Sequence, residues 1–434
     1  MRGFLRSGKC KKLAVLLVAV MVLTIVAGCG GGSKQGSQEP KEKVVKIGVL
    51  GPFTGPSART GDEFKGATQM AFEAIDYKVG DYKVELKWID DESDPEKAAR
   101  AYEEAVVKDK IDAGLGNWNS EVSVSVMDVA AKYKIPHFFA FGATEVVNEK
   151  YKSDPEKYSY WVGKGWPTPS LLSIAYVNTL DEAIQKGIWK PKNKKVAIYG
   201  VDNDWGRSFA KAIDKQLKDA GWEVVNQSFV AKGETEFYPL LKKLKDLDTS
   251  LLVGTMVDPS SVSSFIKQSR EVGLKSMIVC DGLGWVGEWY NLTGKASDYV
   301  IDQIPQWTTP EAKKFKEDFA KKLGFEPSPS GAGLNYDWSR YMIKVLQSTY
   351  DSYGKIDRET LYKTAKEKIM TGQLTFTEGV IMNEYKFTPE TFPDPVVGKG
   401  YYIFPVIQYF DGKGTIVWPE DWKEADIKVP AGIQ

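Results

Sequence analysis

Histidine occurs once in this chain, at position 137, and cysteine three times, at positions 10, 29 and 280. One histidine cannot build a two-histidine metal site, and it gives a Ser-His-Asp triad or a zinc site of nitrogen and sulfur ligands little to work with. His137 follows Ile135-Pro136 in an apolar, strand-like run, which favours a structural role. If Cys10 leaves with an N-terminal leader and Cys29 ends that leader, Cys280 stands alone and no disulfide forms within the mature chain. A core of this size needs none. An excess of one charge is missing too, since 58 basic residues balance 58 acidic ones. The leader holds five of the basic residues, so the remainder carries about −5 and has no global attraction to nucleic acid. No repeat of about 20–50 residues suggests a solenoid. Gly30-Gly31-Gly32-Ser33-Lys34 has no strand before it, as a phosphate-binding loop requires. No metal or cofactor is implied.

The first 29 residues carry a strong signal. Arg2, Arg6, Lys9, Lys11 and Lys12 precede an apolar run from Leu13 to Val26, which only Thr24 interrupts. Small residues follow, as at a secretory cut site. Val26-Ala27-Gly28-Cys29 resembles the bacterial lipobox, in which the cysteine is acylated and becomes the new N-terminus. A transmembrane anchor is the other reading, but the run is short for a span of about 20 residues. Residues 1–28 therefore read as a lipoprotein signal peptide, with Cys29 as the lipidation site. Residues 29–43 are rich in Gly, Ser, Gln, Lys and Glu and read as a flexible tether. This places the protein outside the cytoplasm, lipid-anchored to the cell membrane.

Beyond the tether, composition is that of a globular protein, 42% hydrophobic and 27% charged, and the length suits two domains. Strand-like runs at 44–50, 84–89, 111–115 and 135–141 alternate with helical spacing at 62–77, after Asp94-Pro95, and from Ser120 to Tyr133. A Trp/Pro/Gly-rich interval at 161–169 follows. The alternation then restarts, with strands at 195–199, 224–229, 251–254 and 277–280 and helices at 171–184, 205–220, 238–247 and 260–272. Strands alternating with helices imply parallel sheets covered on both faces. Later come helices at 310–323 and 336–350, a β-leaning stretch at 401–409 and an Asp411-Gly412 turn. This tail suits a chain crossing back between two lobes already begun.

Several stretches follow one another in a telling order: Gly51-Pro52-Phe53-Thr54-Gly55-Pro56, Gly61-Asp62, Gly66-Ala67, Asp90-Asp91-Glu92-Ser93-Asp94-Pro95 and Gly142-Ala143-Thr144. Tyr199-Gly200-Val201-Asp202-Asn203-Asp204-Trp205-Gly206, Phe265-Ile266-Lys267-Gln268 and Val272-Gly273-Leu274-Lys275 continue the series. Together they resemble the type I periplasmic binding proteins of branched-chain amino-acid ABC transporters, the leucine/isoleucine/valine-binding family. The likeness runs from about residue 44 to 345. It implies an α/β fold of two Rossmann-like lobes with parallel sheets, joined by a three-stranded hinge. Lobe 1 would comprise 44–165 plus about 308–385, and lobe 2 would comprise 166–307 plus about 386–434. The lobes of the family close on a small solute and deliver it to a membrane permease.

A small zwitterion has three needs. Its carboxylate needs hydroxyl and N–H donors, best at a helix start. Ser120, Gly142, Ala143 and Thr144 match the family's carboxylate-binding positions, although Ser120 also reads as a plain helix cap. Its ammonium needs a carboxylate, and Asp281 sits where the family often has one, with a turn aspartate as the alternative. Asp204 is a weaker candidate. The third need is an apolar wall. Trp118, Trp166, Trp205 and Trp285 fall in predicted cleft loops, and Trp205 aligns with the family's ligand-covering aromatic; lobe packing is the other reading for each. Thr60 and Met256-Val257 stand where relatives often carry aromatics, and 145–166 is long. The ligand expectation is therefore an amino acid or an aromatic carboxylate, with no cofactor and no nucleic acid.

Two other functions compete. Asp90, Asp91 and Glu92 could be paired acids of a hydrolase, but such catalysis needs two carboxylates at a defined separation across the substrate, which consecutive residues do not reliably supply. A ligand-sensing module partnered with a signalling protein would use the same cleft.

Overall fold

A computed structural model of the chain describes residues 42–433. The signal peptide at 1–28, Cys29 and nearly all of the tether lie outside the described residues.

Among the described residues, thirteen strands form two sheets. The first contains β1 (Lys43–Gly51), β2 (Lys78–Val79), β3 (Tyr82–Asp90), β4 (Ala113–Gly116), β5 (His137–Ala140) and β6 (Trp161–Lys164), in the order β2-β3-β1-β4-β5-β6. The second contains β7 (Lys195–Val201), β8 (Glu223–Val230), β9 (Leu251–Thr255), β10 (Met277–Asp281), β11 (Ile301–Gln303), β12 (Val406–Phe410) and β13 (Lys413–Trp418). Its order is β13-β12-β11-β10-β9-β7-β8. Both are mostly parallel and flanked by helices, which makes two α/β lobes.

The central strands are apolar on both faces because both faces are covered. Val45, Ile47 and Val49 of β1 pack with Phe64 and Phe72 of the helix Ala58–Glu73. Leu50 joins Ile111, Val122 and Val126 on the opposite side. Gly48 leaves room there, since a Cβ would lie 2.6 Å from the Ile111 side chain. In the second sheet, β9 and β10 are buried along their whole length, Cys280 included.

The sheets are mixed at their edges, where the sequence pattern implied parallel strands. β2 runs antiparallel to β3, and β12 runs antiparallel to both β11 and β13. The β12–β13 hairpin turns at Asp411 (φ 44°) and Gly412 (φ 79°), the two positive φ values of a tight two-residue turn. Strand β6 lies where the sequence showed only a Trp/Pro/Gly-rich interval. It is short and contains Gly163 at φ 75°, so it carries no alternating pattern; its pairing with β5 is reinforced by Trp161 stacked on His137. The helix expected at 62–77 runs instead over Ala58–Glu73, because Asp76 and Tyr77 take left-handed φ values that end it. The helix expected at 171–184 is divided into Pro169–Leu172 and Ile174–Gln185.

The chain passes between the lobes three times. It leaves the first sheet after β6 and enters the second at β7. After β11 it returns, and the helix Asn335–Tyr353 packs against Ala58–Glu73, with Asn335 Nδ2 donating to Phe64 O at 2.9 Å. It then re-enters the second sheet at β12. The crossings are tied together inside the protein: Lys164 Nζ, fully buried, pairs with Asp394 at 2.9 Å, and Trp338 and Tyr402 both donate to Gly165 O.

Candidate functional site

The carboxyl ends of β4, β5, β7, β9 and β10 open toward one cleft, the usual ligand location in parallel α/β sheets. After β4 the chain turns sharply at Asn117, whose φ is 120°. Its side chain holds the turn, donating to Asn119 O at 2.9 Å and accepting from Ser123 Oγ at 3.1 Å. The turn delivers Trp118 and Asn119 to the cleft and starts the helix Ser120–Tyr133. Asn119 occupies the N-cap position but makes no capping bond with its side chain. It is 3% exposed, and neither its Oδ1 nor its Nδ2 has a hydrogen-bond partner among the described residues. Buried amides are nearly always paired, so this one calls for an explanation.

After β5, Phe141 and Ala143 reach the same cavity. Gly142 and Thr144 do not line it but hold it in shape. A Cβ on Gly142 would lie 1.9 Å from Ser123 Oγ, so the loop presses directly on the helix. Thr144 N donates to Ser120 Oγ at 3.3 Å, and Thr144 Oγ1 accepts from Val146 N at 3.2 Å. From the other lobe come Asn203 and Trp205 after β7, Val257 after β9 and Trp285 after β10. Trp166, just past β6, completes the wall. Together they line one small cavity of about 30 Å³.

Of the residues singled out in the sequence, Trp118, Ser120, Ala143, Trp166, Trp205 and Trp285 thus meet at one cavity. Asp281 is placed behind the wall. Its Oδ2 accepts from Tyr176 Oη at 2.8 Å, and its backbone carbonyl accepts from Thr255 Oγ1, which itself takes the Trp205 indole N–H. Burial, and then the neighbouring Asp302, push the Asp281 carboxyl far above the usual carboxylate range. It does not line the cavity, so it offers no direct partner to an ammonium there. Asp204 does not line the cavity either. It is half-buried, and burial with the nearby Glu121 raises its carboxyl.

The acidic stretch at 90–92 is a structural turn. Asp90 accepts from Thr54 N and Oγ1, Asp91 from Ser93 N at 2.7 Å, and Glu92 pairs with Lys97. Asn119, Phe141, Asn203 and Val257 were not singled out as contacts, although each adjoins a stretch that was. Strand-end position was readable; side-chain direction was not.

The cleft is shut by polar contacts across it. Lys232 Nζ reaches Glu121 Oε1 and Ser93 O, both at 2.8 Å. Glu145 N donates to Ser208 Oγ at 3.0 Å, and Arg59 grips Glu288 with two hydrogen bonds.

A family model described as "Periplasmic binding protein" matches residues 44–391. The Leu/Ile/Val-binding protein homolog 6 of Brucella suis is 26% identical over 354 residues, covering 78% of this chain and 82% of that one. A putative branched-chain amino acid ABC transporter protein from Silicibacter pomeroyi superimposes with a TM-score of 0.71 at 19% identity, covering 90% of this chain and all of the other. An ABC-transporter solute binding protein from Rhodopseudomonas palustris BisB5, crystallised with 3,4-dihydroxybenzoic acid, gives 0.69 at 23% identity, covering 86% and 95%. Proteins of this family work outside the cytoplasm and bind solutes without transforming them. The two-lobed fold, the strand-end cleft and the extent of the match agree: the chain belongs to the type I periplasmic binding proteins.

Proposed function

We propose that this chain is the solute receptor of an ABC importer, fixed to the membrane by a lipid on Cys29, and that it hands a small carboxylate-bearing solute to a permease. Trp118, Ser120, Ala143, Trp166, Trp205 and Trp285 make direct contact with the solute in this reading. Gly142 and Thr144 shape the site, and Asp281 acts through Thr255 and Trp205. The observation that carries it is Asn119, a buried amide with both polar atoms free, facing an aromatic cavity at the start of a 14-residue helix. A helix start favours negative charge, and a free amide N–H there suits a carboxylate oxygen. The names of relatives support the solute class: one is called a Leu/Ile/Val-binding homolog, another holds a dihydroxybenzoate.

Thermal-shift screening of the purified chain against amino acids and aromatic acids, followed by calorimetric titration of each hit, tests this. One-to-one binding is expected. Asn119→Leu should weaken it at least about tenfold, the worth of one buried hydrogen bond to a charged group. A hit that binds the variant as tightly as the parent would place the solute elsewhere.

A further inference from the structure

The lining of the cavity narrows the solute further, and this step rests on the solute-receptor reading. The rings of Trp118, Trp166 and Trp285 stand nearly at right angles to one another, at 81°, 88° and 85°, with centroids 5.4 to 6.0 Å apart. Trp205 leans on Trp285 at 58°. Perpendicular walls make a corner rather than a slot. A flat ring stacks on one such wall, whereas a compact rounded group touches all of them.

The polar inventory points the same way. No lining residue is acidic or basic. The free donors include Asn119 Nδ2, the indole N–H groups of Trp166 and Trp285, and the Ser120 hydroxyl, which accepts from Thr144 N. The free side-chain amide acceptor is Asn119 Oδ1, since Asn203 Oδ1 already takes Gly206 N at 2.9 Å. A primary ammonium brings three N–H donors, more than the side-chain acceptors Asn119 Oδ1 and Ser120 Oγ can meet. Asp281 gives no help, because it lies outside the lining and its Oδ2 is taken by Tyr176. A quaternary ammonium has no N–H to satisfy and is held by ring faces alone. The surplus donors then fall to its carboxylate.

We propose that the cavity takes a small betaine-type zwitterion, with its methylated ammonium in the corner of Trp118, Trp166 and Trp285 and its carboxylate at Asn119 and the start of the helix Ser120–Tyr133.

Calorimetric titration of the whole chain with glycine betaine, dimethylglycine, sarcosine and glycine, beside leucine and benzoate, tests the proposal. Glycine betaine should bind one to one. Each methyl group removed should weaken binding, and glycine should bind at least about 100-fold less tightly. Trp285→Phe keeps a ring face and should lose less than about tenfold; Trp285→Leu, checked for folding by thermal unfolding, should lose about thirtyfold or more. Leucine or benzoate binding more tightly than glycine betaine overturns the proposal while leaving the solute-receptor reading intact. Binding of none of the six overturns it as well, and the broader screen above then decides the reading beneath it.

Discussion

The imidazole of His137 lies fully buried between Tyr102 Oη, 3.0 Å from Nδ1, and Gly116 O, 2.7 Å from Nε2, with Trp161 stacked on its face at 4.5 Å. The carbonyl can only accept, so Nε2 carries the proton and Nδ1 accepts from the phenol. Burial lowers its pKa to about 4. Because the folded value lies below the ordinary 6.5, the stabilising contribution is full above pH 6.5 and is lost as pH falls toward 4. Its size is roughly 3 kcal/mol. Asp91, Glu63 and Asp337 pull the other way. Burial raises them to about 7, 8 and 6, so their contribution is present at low pH and lost as pH rises through those values. The difference between parent and His137→Gln isolates the histidine. In chemical denaturation the stability advantage of the parent should shrink by about 3 kcal/mol between pH 7 and pH 4. A constant difference would show that the ring does not titrate in that window. A structural role for this residue was legible from the apolar run around it. The raised, buried carboxyl of Asp281 was not, because depth and the proximity of Asp302 arise only when β10 and β11 pair.

At the scale of elements, the site depends on how the loop after β5 meets the helix Ser120–Tyr133. Gly142 is required by contact rather than by a left-handed φ, since a methyl group there would overlap Ser123 Oγ at 1.9 Å and approach the Ser120 backbone at 3.2 Å. Gly142→Ala should therefore move the helix start, lower stability by about 1–3 kcal/mol and weaken solute binding together. Thermal unfolding and titration of the same preparation check this; an unchanged melting temperature would mean the loop yields without effect. The strands and helices around the site were largely readable because central parallel strands are continuous apolar runs and the helices keep one apolar face. What failed were short elements with no period to read. β6 has four residues and a glycine, and β11 has three. The antiparallel edge at β12 could not be read either, because strand direction depends on where the third crossing returns the chain.

For the whole molecule, the two lobes meet through contacts that join residues far apart in sequence. Glu288 sits on the second lobe and closes on Arg59 of the first, each side chain about a quarter exposed. Lys232 bridges to Glu121 in the same sense. Such partly exposed pairs are worth up to about 1 kcal/mol each, enough to bias closure without locking it. Glu288→Ala should weaken solute binding by up to about fivefold through loss of the closed form. It should also increase the radius of gyration of the solute-free chain in small-angle scattering. An unchanged radius and affinity would mean that closure is held elsewhere. The doubly wound alternation and the tail returning between lobes were visible in the sequence, whereas the contacts that shut the cleft were not, because each pair is brought together only by closure.

The most direct measurement is a crystal structure of the chain grown with a solute that binds in titration. The account predicts density in the Trp118/Trp166/Trp285 corner, with an acceptor atom about 3 Å from Asn119 Nδ2. A bound solute lying outside this cavity, with Asn119 still unpaired, would contradict it.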